Sequence, residues 1–188
     1  MGTIKLSRYK FVSKMLDKND VIIDVGCGGG YSTLYYSKFC KSAIGIDIDK
    51  RRKKEWNEFK DSKIKFFLQD ATKLQNMNFE ANCIVNVDFI EHIEKKKGVE
   101  FIKNCKIYLE NQINEKNKMF IIGTPSFYSR RYRAKHNLKH HKYEYKPEEL
   151  NEICKKFFPR TFLFTMNDEI VHTGFNKLGW FFFVVCVL

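Results

Sequence analysis

Proline and glycine are scarce in this chain, 3 and 10 of 188 residues, so neither a collagen-like nor a proline-rich repeat is present. The 6 cysteines (Cys27, Cys40, Cys83, Cys105, Cys154, Cys186) include no Cys-x-x-Cys pair and mostly sit in or beside apolar runs. A zinc cluster or a secreted disulfide framework is therefore not expected, and small core thiols in a reducing compartment are. Long apolar runs are missing too: the longest, Trp180 to Leu188, is about half of the ~20 residues that a membrane-spanning helix needs. The opening MGTIKLSRYK lacks an apolar signal core, and Leu6 stands where a myristoylation signal needs Ser or Thr. A soluble, cytoplasmic protein that does not enter membranes is the expectation. Acidic residues are in deficit, 22 against 34 basic, for a formal charge of +12. Such a field favours anionic partners such as nucleic acid or phosphorylated metabolites. An AT-rich coding sequence, which enriches Lys, Asn, Ile and Phe together, explains the same excess without any ligand.

Apolar residues are not in short supply. Hydrophobic content is 44%, with 18 Phe and 9 Tyr, enough to build the core of one ordinary domain. Val-, Ile- and Phe-rich runs alternate with stretches of helical period, the pattern of an α/β fold with crossover helices on a parallel sheet. Strands are predicted at Val21–Val25, Ala43–Asp47, Ile64–Leu68, Cys83–Val87, Met119–Gly123, Phe162–Met166 and near Trp180–Val187. Helices are predicted at Tyr31–Phe39, Lys50–Lys60, Lys95–Glu110 and Pro147–Phe157, the last with Pro147, Glu148 and Glu149 in its first turn. An amphipathic segment at Leu6–Leu16 precedes the first strand. Pro125–Lys146, with Arg130, Arg131, Arg133, His136, His140 and His141 among four Tyr, has no period and reads as a long functional loop.

The run Val21-Ile22-Ile23-Asp24-Val25-Gly26-Cys27-Gly28-Gly29-Gly30 passes from a buried strand straight into a helix, and its glycines allow backbone to approach a ligand closely. A dinucleotide fingerprint beginning at Gly26 would need Gly or Ala at position 31, where Tyr31 stands. The pattern is instead Asp-x-Gly-x-Gly-x-Gly. Ile44-Gly45-Ile46-Asp47 ends the second strand on an acid and Phe67-Leu68-Gln69-Asp70-Ala71 ends the third on another. Taken singly, each acid is an ordinary turn residue; one per successive strand is a stronger pattern.

In these motifs the chain resembles the class I S-adenosylmethionine-dependent methyltransferases. The resemblance implies a Rossmann-like seven-stranded sheet, last strand antiparallel, with helices on both faces and a single domain over residues 1–188. Within it, 1–19 would be an N-terminal helical segment and 124–146 a substrate-side loop. It also implies S-adenosyl-L-methionine as cofactor, bound by Asp24, Gly26, Cys27, Gly28, Gly30, Asp47, Ile48, Asp70, Ala71 and Asn86. Asp47 would accept from the ribose hydroxyls and Asp70 from the adenine amino group.

After the fourth strand comes Asp88-Phe89-Ile90-Glu91-His92. On a helical turn Asp88, Glu91 and His92 would share one face, two oxygens and an imidazole suited to Mg²⁺ or Mn²⁺. The pattern is similar to the metal-binding motif of ubiquinone-type O-methyltransferases and of small-RNA 2′-O-methyltransferases, and in the RNA family a later histidine, here His141, adds a ligand. That likeness implies Asp88, Glu91, His92 and His141 as metal ligands and His92, His141 and Glu91 as catalytic groups; without a metal, the Glu-His pair only orients a loop. Asn82 departs from the family, which commonly has Asp there, and an Asn-Pro-Pro-Tyr run is missing, so oxygen is the expected methyl acceptor. Segment Phe164–Phe175 is similar to one in methyltransferases of surface-glycan and small-metabolite pathways. The expected acceptor is therefore a small hydroxylated molecule such as a sugar or glycan precursor. The alternatives are an RNA 2′-hydroxyl, favoured by the Arg and Tyr cluster, and a catalytically silent cofactor-binding scaffold, favoured by Asn82 alone.

Overall fold

A computed structural model describes residues 3–113, 117–133 and 139–188. Its centre is an eight-stranded sheet in the order β3-β2-β1-β4-β5-β8-β6-β7. The strands are β1 (Val21–Val25), β2 (Ser42–Asp47), β3 (Ile64–Leu68), β4 (Cys83–Val87), β5 (Met119–Pro125), β6 (Arg160–Asn167), β7 (Ile170–His172) and β8 (Phe181–Val187). The first five run parallel, and β8 inserts antiparallel between β5 and β6. All seven expected strands are present and the last long one is reversed. The eighth, β7, is an addition. It pairs only with the end of β6 through a two-residue turn in which Asp168 takes a left-handed φ of 50°. Its three residues are too few to announce themselves by alternation.

Among the described residues the α-helices are α1 (Thr3–Ser13), α2 (Tyr31–Tyr36), α3 (Lys53–Trp56), α4 (Lys95–Glu110) and α5 (Pro147–Lys155). Because successive strand residues face opposite sides, β1 sends Ile22 to a layer with Phe11, Val12 and Tyr36, and Ile23 and Val25 to the other. That second layer is filled by Phe101, Ile102, Cys105, Tyr108 and Leu109 of α4, an apolar stripe at helical spacing, and by Leu150 and Cys154 of α5. All six cysteines are buried. Among the described residues no helix is long and apolar enough to cross a membrane.

Two helical expectations are corrected. Lys50–Lys60 is not one helix: a 3₁₀ turn at Lys50–Arg52, capped by Asp49, leads into the short α3. The run is mostly exposed, and only Trp56 is buried, so little apolar surface rewards a longer helix. The segment after β5 is likewise not all loop, since Phe127–Tyr132 forms a 3₁₀ helix capped by Ser126.

Asn82 proves to be a clip. It is buried, accepts from the Val21 amide (2.8 Å) and donates to Asp20 Oδ1 (2.7 Å) and to the Asn117 carbonyl (3.3 Å). This lies at the sheet edge opposite the glycine turn, where an amide can do what a second carboxylate beside Asp20 could not. The one sequence feature favouring a silent scaffold thus has a structural explanation.

Candidate active site

The strand order reverses between β1 and β4, and at their carboxyl ends a cleft of about 720 Å³ opens, as expected at such a switch point. Gly26, Gly28 and Gly30 all have left-handed φ, of 72°, 53° and 86°. A Cβ at Gly26 would lie 2.7 Å from the Phe89 ring and one at Gly30 2.6 Å from Phe66, so close approach as well as backbone conformation demands glycine. The amides of Gly26 and Cys27 donate to the Ile46 carbonyl, which ties the turn to β2.

Asp24 is buried beneath this turn and accepts from the hydroxyls of Ser32 and Thr33, both at 2.6 Å. Burial pushes its carboxyl up to about 6, against the pull of those two donors. The Cys27 thiol, also buried, is pushed up too, first by desolvation and then by Asp24. Asp47 lines the cleft, taking the Gly28 amide on Oδ2 (2.9 Å) and the Asp49 amide on Oδ1 (2.8 Å). A carboxylate has about four acceptor sites, so it retains capacity for two further donors. Next to it, Ile48 is 70% exposed, an apolar surface with no protein cover.

Of the expected cofactor residues, Gly26, Cys27, Gly28 and Asp47 line the cleft, whereas Asp24, Gly30, Ile48, Asp70, Ala71 and Asn86 are not among its walls. Asp70 Oδ1 caps the 3₁₀ helix Ala71–Asn76, accepting from Thr72 N (3.0 Å) and Thr72 Oγ1 (2.7 Å). Asn86 is wholly buried; its Nδ2 donates to the Val25 carbonyl (3.4 Å), while its Oδ1 has no partner among the described residues.

Other cleft walls escaped sequence reasoning. Tyr9 comes from α1, and burial raises its phenol to about 12, helped by the charges of Asp24 and Asp88. Arg52 and Glu55, paired at 2.8 Å, also line the cleft, and the Trp56 indole donates to the Gly28 carbonyl at 2.8 Å. Nothing in their own sequence neighbourhood marked them beyond a run of charges.

His92 stands at the cleft mouth, and beside it the structure brings together Glu91, His92 and His141, one ligand atom from each lying within 4.8 Å of the others. Asp88 does not join them. It has a left-handed φ of 57°, the 3₁₀ turn begins only at Ile90, and its two carboxylate oxygens are both held at 2.6 Å by Nη1 of Arg8. The expected helical face from Asp88 to His92 therefore does not form. His140 contributes its backbone, not its ring, and His136 lies outside the described residues.

Both ring orientations are set by their Nδ1 atoms. Nδ1 of His92 is 3.0 Å from the His140 carbonyl, which can only accept, so that nitrogen carries a proton and Nε2 is left as the basic one. Nδ1 of His141 likewise meets Glu144 Oε1 at 2.7 Å, and Glu144 is held in turn by Arg133 at 2.7 Å. Imidazoles fixed in this way by an outer carbonyl or carboxylate present Nε2 to a proton or a cation. The segment is clasped to the 3₁₀ turn Ile90–His92 after β4 because the Lys142 and Tyr143 amides both donate to the Glu91 carbonyl, at 2.7 and 3.2 Å. Glu91 is buried and accepts from Thr124 Oγ1 at 2.9 Å. Desolvation, with Asp88 nearby, raises its carboxyl well above the usual range, so a positive charge placed here would stabilise the ionised form.

Comparison with known proteins places this geometry. The methyltransferase-domain family matches residues 22–112. A probable cobalt-precorrin-6B C(15)-methyltransferase (decarboxylating) of Methanococcus maripaludis is 30% identical over 57% of this chain and 64% of its own length, so the chain spans under two thirds of that relative. Among solved structures, the methyltransferase domain of a bacterial Hen1 has a TM-score of 0.74 at 15% identity, covering 98% of this chain and 100% of that one. A SAM-dependent methyltransferase from Archaeoglobus fulgidus has a TM-score of 0.72 at 17% identity, covering 100% and 95%. The glycine turn and strand order agree with that domain match, and over residues 22–112 the chain is similar to the S-adenosylmethionine-dependent methyltransferases, whose fold it shares.

Proposed function

We propose that the protein methylates a hydroxyl oxygen of a vicinal diol, using S-adenosylmethionine, and that the diol is the terminal ribose of an RNA strand. The observation that carries this reading is the convergence of Glu91, His92 and His141 at the mouth of the glycine cleft, with both imidazoles oriented from behind. When bound, S-adenosylmethionine supplies an electrophilic methyl group on a sulfonium. Asp47 would hold its ribose, Ile48 would cover its adenine, and the Gly26–Gly30 turn with Asp24 below would take its methionine end. The chain's own work is alignment, exclusion of water and removal of one proton. Nε2 of His141 takes the proton leaving the hydroxyl, and Glu144, locked by Arg133, stabilises the imidazolium that results.

The same three groups fit a divalent cation. With one carboxylate oxygen and two imidazole nitrogens in place of the expected oxygen-rich set, Mn²⁺ suits the donors better than Mg²⁺. Such a cation would lower the pKa of the hydroxyls it touches. An RNA acceptor is supported by the basic, aromatic groove beside Glu144 and by the Hen1 RNA repair and small-RNA methyltransferase structures among the neighbours of this fold. A sugar or glycan-precursor acceptor keeps the same chemistry and is favoured by a smaller cavity of about 180 Å³ among Arg130, Lys142 and Lys146.

The test is incubation of a short RNA with labelled cofactor, with EDTA or with added Mn²⁺, followed by periodate, which cleaves only an unmodified terminal diol. Label transfer with periodate resistance supports the reading. Transfer to a nucleotide-sugar but not to RNA moves the acceptor to the second reading, and transfer to neither refutes both. Turnover lost in EDTA and restored by Mn²⁺ assigns the three groups to a cation, whereas turnover that persists leaves His141 as the base.

A further inference from the structure

Beyond the reacting centre lies a groove of about 800 Å³ whose walls include Phe127, Tyr128, Arg131, Arg133, Lys177 and Leu178. The Tyr132 ring, carried in the chain between the groove residues Arg131 and Arg133, lies nearly parallel to the Trp180 ring, with centroids 6.0 Å apart and planes 6° apart. They are 58% and 54% exposed. The Arg131 guanidinium sits 4.7 Å from the Tyr132 ring. Among the described residues Arg131 and Lys177 make no ion pair, and only Arg130 and Arg133 face a carboxylate, that of Glu144.

The rings are placed by rigid backbone. The Trp180 carbonyl accepts from the Ser126 amide (2.9 Å) and Ser129 Oγ (3.0 Å), and its amide donates to Asn167 Oδ1 (2.9 Å). Ser126, buried, also caps the 3₁₀ helix that carries Tyr132, and Ser129, buried within that helix, donates its hydroxyl to the Ser126 carbonyl at 2.8 Å. Flat aromatic faces fixed in the open, beside unpaired cations, match the needs of stacked bases joined by phosphates and differ from an apolar core contact. The groove is coupled to the reacting centre as well, because Arg133 both lines it and holds Glu144 against His141.

We infer that Tyr132 and Trp180 form a stacking platform, with Arg131 and Lys177 as its phosphate contacts, for the unpaired nucleotides leading to the methylated ribose. This rests on the RNA reading above and adds where the strand lies. Specificity for single strands follows, since paired bases cannot offer their faces.

The test measures fluorescence anisotropy of a fluorescein-labelled oligo(A) RNA nonamer and of its blunt duplex, at several salt concentrations, alongside methylation kinetics. Wild-type protein is expected to prefer the single strand. Trp180→Ala and Tyr132→Ala should each weaken binding roughly tenfold, raise KM in parallel and leave kcat unchanged, with Trp180→Tyr restoring most of the loss. Arg131→Gln should instead reduce the slope of log K against log salt by about 0.7, a phosphate signature that the ring variants lack. Unchanged melting temperatures and unchanged affinity for S-adenosylhomocysteine separate these effects from misfolding. RNA methylated by the ring variants with wild-type KM and affinity would overturn the platform and leave the proposed function standing. Absence of RNA binding and methylation by the wild-type protein would overturn both, as would a groove that captures a nucleotide-sugar or an anionic vesicle instead.

Discussion

Asp24 links fold stability to acidity in a way that can be measured without any substrate. Its carboxyl titrates near 6 in the folded protein against an ordinary value of 3.8, chiefly because burial penalises the charge. The folded state therefore retains a proton that the unfolded chain has already released. The stabilisation is complete below pH 4 and is lost as pH rises through about 6. At about 1.4 kcal/mol per pH unit the shift corresponds to about 3 kcal/mol of stability missing at neutral pH. Asp24→Asn cannot ionise, and its amide oxygen can still accept from Ser32 and Thr33. The variant should consequently match the wild type at pH 4 and exceed it by up to about 3 kcal/mol at pH 7, roughly 6–12 °C in melting temperature for a chain of this size. The assay is urea unfolding of both proteins at half-unit steps from pH 4 to 8, reading only their difference so that other titrating groups cancel. Parallel stability curves with no divergence across that window would refute the argument.

Other outcomes follow from the same geometry. Gly28→Ala keeps φ at 53° with no atom within 4 Å of the new methyl, so it should cost only about 1 kcal/mol of stability while weakening S-adenosylhomocysteine binding in calorimetry; Gly26→Ala, facing Phe89 at 2.7 Å, should cost more. Glu144→Gln removes the charge behind His141 and should lower kcat/KM roughly 10–100-fold with cofactor affinity unchanged. Asn82→Asp turns a donor 2.7 Å from Asp20 into a second buried carboxylate. Denaturation should show a loss of about 3 kcal/mol at pH 7, recovering toward pH 4, with no change in cofactor affinity measured well below the melting point.

The strands were readable because each is a short β-branched or aromatic run between turn residues, and the glycine turn because its conformations leave glycine little alternative. What escaped depended on partners far along the chain. Asp88 looked like a ligand beside Glu91 and His92, but Arg8, 80 residues earlier, takes both its oxygens. Asp70 is a local case instead: it sits just past the expected strand end and spends one oxygen on Thr72, a cap that the sequence allows equally well. Tyr9 enters the cleft from a helix outside the matched domain. The pairing of His92 with His141 was anticipated by likeness, whereas their orientation by the His140 carbonyl and Glu144 is a tertiary fact.

The clasp between Glu91 and the Lys142 and Tyr143 amides joins segments about fifty residues apart in the chain. Local opening of that return segment would unmake the reacting centre while the glycine cleft, built wholly from earlier residues, stayed intact. Solvent deuterium uptake at those two amides thus serves as a native gauge of how often the molecule is competent, and ligands that tighten the centre should slow it.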